Sequence, residues 1–371
     1  MKHVSSFTLS AILIGLCAPA FGARPHMYAN AISAHNIAVM QHSIMTNAMQ
    51  TFEGSAAAAL GNRAKLTMQP APRDSKNSPD LYGRMPMYGT MHLYGEYGEE
   101  GNHAPTKGRN GGDDYTRPVV NSIWLNWAHY GDDAKFRHYD RLDSDYDIVM
   151  LGLSGGEAQW GAGISEWGLY GGYVGGNQTN DFVDIEENGG YWGLYSGYNI
   201  GNFNLSISAN GGALYNRGET KFGTDEYANM WAGGAARAAY NIALDDTFTL
   251  QPSIYAGYAW IKSANYVSVS GEKIANKNFN IFEITPALRA IKHLGKGWFG
   301  FIGIKYVFES DNGGDVIVNG AKLSKLDSEN YSEYGIGIEK SIDRFNLMLH
   351  LDRRDGGRTG FSGGLNLKYI F

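Results

Sequence analysis

The chain has 371 residues, with 31 Lys and Arg against 37 Asp and Glu, for a formal net charge of −6. Charged residues reach only 18%, below the roughly one quarter usual for a soluble globular domain, while 50 Gly and 13% aromatics point to strands and tight turns rather than disorder. An acidic balance without a basic block excludes nucleic acid as the main partner.

The N-terminus indicates the compartment. Lys2 and His3 precede an apolar run, Phe7 to Ala20, that ends in Ala20-Phe21-Gly22-Ala23. A basic start, an apolar centre and a small-x-small end mark a secretory signal, assigned to 1–22. The run is too short to span a bilayer, and nothing after residue 23 approaches the roughly 18 consecutive apolar residues that a spanning helix needs. Bulky Leu16 before Cys17 argues against lipidation. Cys17 is the only cysteine, so the exported chain has no disulfide, thiol nucleophile or cysteine-bound metal.

Residues 27–62 carry a helical period: Ile37, Met40, Ile44, Met45, Met49, Phe52, Ala56 and Leu60 recur at three and four. The run Ala56–Ala59 supports the helix, and Gly61-Asn62 stops it. At 1.5 Å per residue such a helix extends roughly 50 Å, about the depth of a membrane lumen. Its polar residues His35, Asn36, Gln41, His42 and Asn47 stand beside a Met stripe and suit a polar pore wall, although a periplasmic amphipathic helix fits the same pattern. Residues 63–118 turn to Pro, Gly, Arg and Asp and read as a linker, within which Met87 to Tyr97 alternates as a candidate extra strand.

From 119 onward the chain alternates apolar and polar residues between turn clusters. Phe203, Leu205, Ile207 and Ala209 alternate with Asn204, Ser206, Ser208 and Asn210; Phe345, Leu347, Leu349 and Leu351 alternate with Asn346, Met348, His350 and Asp352. Successive side chains point to opposite faces of a strand, so each segment has one apolar and one polar face. Twelve such segments predict twelve strands. Their connections alternate long (131–144, 175–189, 216–227, 263–279, 309–331 and finally 353–360) and short (155–160, 200–202, 244–247, 292–297 and 342–343). That is the pattern of an up-and-down transmembrane barrel with external loops and periplasmic turns. Trp192, Trp260, Trp298 and Tyr306 suit interfacial girdles. The fold expected is an all-β transmembrane, 12-stranded antiparallel barrel over 119–371, preceded by one α-helix in the pore.

The polar face defines the candidate pore lining. Asn204, Ser206, Ser208, Asn210, Arg237 and Glu283 belong to it, with Thr285, Arg289, Lys305 and Glu339. Arg344, Asn346, His350, Asp352, Asn366 and Lys368 complete the set. Both signs are mixed, which favours ion pairs and helix contacts over a selective filter. Acids cluster in the predicted external loops: Asp140, Asp143 and Asp145; Asp181, Asp184, Glu186 and Glu187; Asp311 and Asp315.

No catalytic constellation emerges. No Gly-x-Ser-x-Gly elbow occurs at Ser154 or Ser196 in a strand–helix context, and the strand-borne His350, Asp352, Ser206 and Ser208 suit lumen lining. His35 and His42 are seven apart with no accompanying carboxylate, and Ser310 to Asp315 lacks the spaced ligands of a calcium loop. Neither metal nor cofactor is implied.

The terminal strand carries the most specific signal. Ser362, Gly364, Leu367, Tyr369 and the final Phe371 resemble the signature read by the outer-membrane barrel-assembly machinery. Ile123-Trp124-Leu125-Asn126-Trp127, then Tyr146 to Leu153, then Leu250-Gln251-Pro252-Ser253-Ile254, resemble strands of autotransporter translocator domains. The resemblance covers about 30–371. It implies a monomeric barrel of a Gram-negative outer membrane, surrounded by lipid, its pore crossed by a helix that tethers an exported passenger. Here the helix starts about five residues after the expected cleavage site, leaving almost no passenger, and it lacks an Asn-Asn cleavage dyad. A small porin, or an adhesin acting through its loops, are the alternatives.

Overall fold

The computed structural model describes residues 27–52, 120–137, 139–160, 163–313, 315–323 and 326–371. The expected signal segment, the linker with Met87–Tyr97, and residues 53–62 of the expected helix lie outside the described residues.

The strands are β1 (Val120–Arg137), β2 (Tyr139–Trp160), β3 (Gly163–Asn180), β4 (Val183–Ile200), β5 (Phe203–Thr220) and β6 (Gly223–Tyr240). The second half holds β7 (Phe248–Lys262), β8 (Phe279–Gly295), β9 (Trp298–Gly313), β10 (Tyr331–Ile342), β11 (Phe345–Gly356) and β12 (Arg358–Ile370). Each pairs antiparallel with the next, and β12 returns to β1, with Leu125 opposite Leu367. The result is a closed 12-strand barrel, which leaves no unpaired edge.

Register lines the apolar residues into one exposed band. Leu125 faces Leu151, Leu153 faces Leu169, and Leu169 faces Leu194. On the other side Leu288 faces Ile304, Ile302 faces Ile336, and Leu349 faces Leu365. All but Leu365 are exposed, and Trp192, Trp260, Trp298 and Tyr306 stand exposed among them. In water such a band would cost about 25 cal/mol per Å² of apolar surface, so the surface is built for lipid.

Strand ends differ from the sequence expectation. The segments 131–144, 175–189 and 216–227 are not long loops: they are continuations of β1 to β6, joined near residue 138 and at 181–182 and 221–222. Asn180 Oδ1 accepts from the backbone N–H of Phe182 and Val183 at 2.9 and 3.0 Å, and the Thr220 hydroxyl accepts from Phe222 at 3.1 Å, so each reversal needs two residues. Strands of 18 residues run about 60 Å, far more than the roughly 25 Å apolar band of such barrels. Along the extensions the faces exchange character. Asp143, Asp145, Asp184 and Glu186 now point outward, while Ala134, Phe136, Leu142, Val183 and Ile185 are buried. A water-type core thus sits on a lipid-type barrel.

Above that core, connections 263–278 and 314–330 fold together. Their short strands Tyr266–Val267, Lys273–Asn276, Val316–Val318 and Ala321–Lys322 make a four-stranded sheet. Asp315 bridges Lys322 at 2.8 Å and Lys277 at 3.4 Å, and the hydrogen bond and charge of Lys322 hold its carboxyl below the usual range.

The helix α1 spans Ala29–Phe52, about 36 Å. Residues 27–45 are buried on every side, polar ones included. Ala34, Ile37, Met40, Ile44 and Ala48 pack against Trp124, Ile148, Tyr170, Tyr191, Tyr195 and Trp231. Met27, Tyr28, Ala31 and Ile32 join the upper core with Phe136, Leu142, Ile185, Ile274 and Val316. The N-terminal end of α1 is therefore at the mouth covered by the two folded connections; Val120 and Phe371 lie at the opposite mouth, where Phe371 N–H donates to Asn121 O at 2.9 Å.

Close approach to α1 requires glycine at 233. A Cβ there would overlap the Gln41 amide and the Tyr258 carbonyl, whereas at Gly234 the nearest atom, Ser208 O, is 3.4 Å away. Gly233→Val is expected to cost about 1–3 kcal/mol in urea unfolding of the detergent-solubilised barrel, against under about 0.5 kcal/mol for Gly234→Ala.

Candidate functional site: the helix and the charged wall

Many polar side chains of α1 find partners on the barrel, although Thr46 Oγ1 and Gln41 Oε1 are buried without a hydrogen bond. Asn30 Nδ2 donates to Ala264 O at 2.7 Å. Ser33 Oγ donates to Asn216 Oδ1 at 2.7 Å and accepts from Asn229 Nδ2 at 3.1 Å. Asn36 Nδ2 donates to Ser144 and Tyr146 at 3.1 and 3.0 Å, while Arg358 Nη2 donates to Asn36 Oδ1 at 2.7 Å. Ser43 meets the Tyr130 hydroxyl, and Asn47 donates to Asn126 Oδ1 at 3.2 Å. His35 Nε2 lies 3.2 Å from Asp311, and His42 Nδ1 lies 2.7 Å from Glu283. The two histidines, read from sequence as a solvated or lumen-facing pair, are buried, each against its own wall carboxylate. Each neutral bond contributes about 1 kcal/mol net, but a buried group that loses its partner costs about 1–3 kcal/mol. Such a set fixes the rotation and height of α1.

A second constellation is ionic. Arg354 reaches Asp132 at 2.5 Å through Nη1 and Glu333 at 3.0 Å through Nε; Arg358 reaches Asp132 at 3.0 Å; Lys305 reaches Glu333 at 2.5 Å. The Arg354 guanidinium lies 4.7 Å from the Tyr130 ring centroid. Five charges on β1, β9, β10, β11 and β12 thus cross the seam where the last strands meet the first.

The candidate lining residues fall as follows. Asn204, Ser206, Ser208, Asn210, Arg237, Glu283, Thr285, Glu339 and Asn366 are buried. Arg289, Lys305, Asn346, His350, Asp352 and Lys368 are half-buried. Pairings bring several together: Tyr170 to Ser208 at 2.9 Å, Asn346 to Glu339 at 2.7 Å, His350 to Asp352 at 3.6 Å, and Lys368 to Glu166 at 3.8 Å. Arg344 is a correction: it sits exposed in the two-residue turn between β10 and β11, where Asp343 takes a left-handed φ of 46°. Two expected loop acids are corrected too. Glu187 is buried within β4, accepting from Gln178 at 2.9 Å and from the Tyr146 hydroxyl, and Asp311 is the partner of His35. In the terminal strand Ser362 and Gly364 are buried, Tyr369 is half-buried, and Leu367 and Phe371 are exposed. The Tyr369 ring packs 4.8 Å from Phe345 and 5.5 Å from Phe371.

Sequence reading missed Asp132, Arg354 and Arg358. All three lie past the predicted strand ends, in segments taken for connections. Glu333 was overlooked inside a predicted strand, although the alternation that puts Glu339 on the polar face puts Glu333 there too; the register then sets it opposite both Lys305 and Arg354. Among the described residues His129, Asp145 and Asp147 bring ligand-type atoms within 4.8 Å of one another on the outer face. Trp127 donates to Asp147 at 3.0 Å and all three are solvent-accessible, an exposed ion-pair ladder.

No family model and no curated protein matches the chain. Solved structures do. The transport unit of the autotransporter AIDA-I from Escherichia coli is 16% identical with a TM-score of 0.58, over 70% of this chain and 92% of that one. The β-domain of the Bordetella autotransporter BrkA is 13% identical with a TM-score of 0.56, over 68% and 100%. The translocator domain of NalP from Neisseria meningitidis is 12% identical with a TM-score of 0.55, over 68% and 89%. At such identities the likeness is one of fold, and the fold of this chain is that of an autotransporter translocator domain.

Proposed function

We propose that the chain is a non-catalytic, autotransporter-type barrel of a Gram-negative outer membrane, its lumen filled by α1 with the N-terminal end of the helix toward the cell exterior. The observation that carries this reading is the set of bonds from Asn30, Ser33, Asn36, Ser43 and Asn47 to β1, β2, β5, β6 and the start of the connection after β7. A helix lying outside the wall would meet the apolar face instead. The terminal strand ending on Phe371 fits insertion by the barrel-assembly machinery, and the closed sheet fits a monomer in lipid.

A short thiol crosslinker tests the placement. Ser33→Cys and Asn216→Cys, in a chain with Cys17 also replaced, are expected to crosslink in intact outer membranes and to change migration on denaturing gels. Failure to crosslink in a correctly folded barrel removes α1 from the lumen. A protease-cleavable tag near Ala29, cut on intact cells, checks the direction; protection until the outer membrane is opened places that end in the periplasm and favours an open porin.

A further inference from the structure

α1 does not fill the barrel evenly. Between residues 42–50 of the helix and strands β7 to β11 lies a cavity of about 140 Å³. Ala287 and Gly303 leave part of its wall bare, with room for several waters or one small solute, while the Asp352 carboxylate lies over Gly335. Arg237, Arg289, Lys305 and Arg354 also line it together with Glu333 and Asp352, so its ligand preference is decided by which of the cations the protein itself neutralises.

Two are neutralised directly. Arg354 is held by Asp132 and Glu333, and Lys305 by Glu333. Glu283, the acid nearest the helix, lies 2.7 Å from His42 and accepts from Thr285 at 2.5 Å. Asp352 faces His350 at 3.6 Å, and with Glu339 it also acts on Arg289 through space, without a direct bond to it. Arg289 is different. Its guanidinium carbon lies over the Phe301 ring, 3.9 Å from the centroid, and its buried Nε has no hydrogen-bond partner; among the described residues no acceptor hydrogen-bonds to this side chain. A guanidinium carries five N–H donors in a rigid fork, shaped for two oxygens of one anion. The ring contact covers one side of the guanidinium and leaves its donors to whatever occupies the cavity. On the far side of β7, Arg237 also faces the cavity and donates to Ser253 Oγ at 3.3 Å.

We propose that this cavity binds a small oxyanion of a few heavy atoms, such as phosphate, sulfate or a short carboxylate, with Arg289 as the bidentate anchor and Arg237 and Ser253 beside it. The proposal rests on the reading that α1 occupies the lumen, because residues 42–50 form one wall of the site.

The test is calorimetric titration of inorganic phosphate into the full chain in detergent, at constant ionic strength set by chloride. Saturable binding is expected, weakened about tenfold or more by Arg289→Gln, through loss of a charge-assisted fork contact, and unchanged by Arg353→Gln on the exposed face. Arg289→Lys keeps the charge and is expected to weaken binding as well, because a single ammonium cannot make the fork; it serves if Arg289→Gln fails to fold. No saturable phosphate binding by the folded chain, or equal affinity in the Lys variant, overturns the site. The crosslink between positions 33 and 216, run on the same preparation, separates the two failures. A crosslinked chain that binds no phosphate sinks the cavity site alone, whereas an uncrosslinked one sinks the helix placement and this site with it.

Discussion

Deleting residues 27–52 is expected to raise single-channel conductance in planar bilayers by on the order of tenfold, because a helix with side chains is about 10–12 Å across and a twelve-strand lumen is little wider. The intact chain should pass only the current that the side cavity allows. The barrel itself should survive the deletion, since every strand is paired on both sides by backbone bonds that do not involve α1. The polar wall residues released by the helix, such as Asn126, Ser144 and Asn216, would then bond to water at little cost. The upper core fares worse. Phe136, Leu142, Ile185 and Val316 lose Met27, Tyr28 and Ile32, so connections 263–278 and 314–330 should become protease-sensitive in the deleted chain. A wild-type conductance equal to that of the deleted chain would show that α1 does not block the lumen.

Most of the fold was legible because alternation is a local property. Twelve apolar-out segments identify twelve membrane strands, and Phe203 to Asn210 reads the same way in sequence and structure. What was misread follows from the medium outside the barrel. Above the membrane the outward face meets water, so Asp184 and Glu186 take positions that leucines hold below, and Val183 and Ile185 turn inward around the end of the helix. The period of two continues unbroken while its polarity inverts. A reading that looks for apolar outward faces sees a loop there, and with it loses Asp132, Arg354 and Arg358. The helix was legible from its period of three and four, and its polar residues suited a pore wall, but the wall residue that each one meets was not legible. Ser33 and Asn36 find their partners in Asn216, Ser144 and Arg358, each more than 100 residues away, a distance no local pattern spans.

The second large effect is expected at the seam. Arg354→Met should destabilise the barrel by about 3–5 kcal/mol, measured by urea unfolding in detergent with tryptophan fluorescence, because it leaves buried carboxylates short of their cation. Arg354, Asp132 and Glu333 are each less than 5% exposed, so water does not replace the lost charge. Asp132 keeps Arg358 and Glu333 keeps Lys305, which limits the loss but leaves each acid with one cation instead of two. Adding Glu333→Gln to Arg354→Met should recover part of it, since removing both members of a buried pair is milder than stranding one. Arg353→Met is the control: its side chain points outward, 5.7 Å from the Phe361 ring, and should change stability by under about 1 kcal/mol. If the two arginine variants unfold alike, the cluster does not hold the closure between β12 and β1. Stability would then rest on strand pairing alone, and the charges would be left to the solute that shares the lumen with the helix.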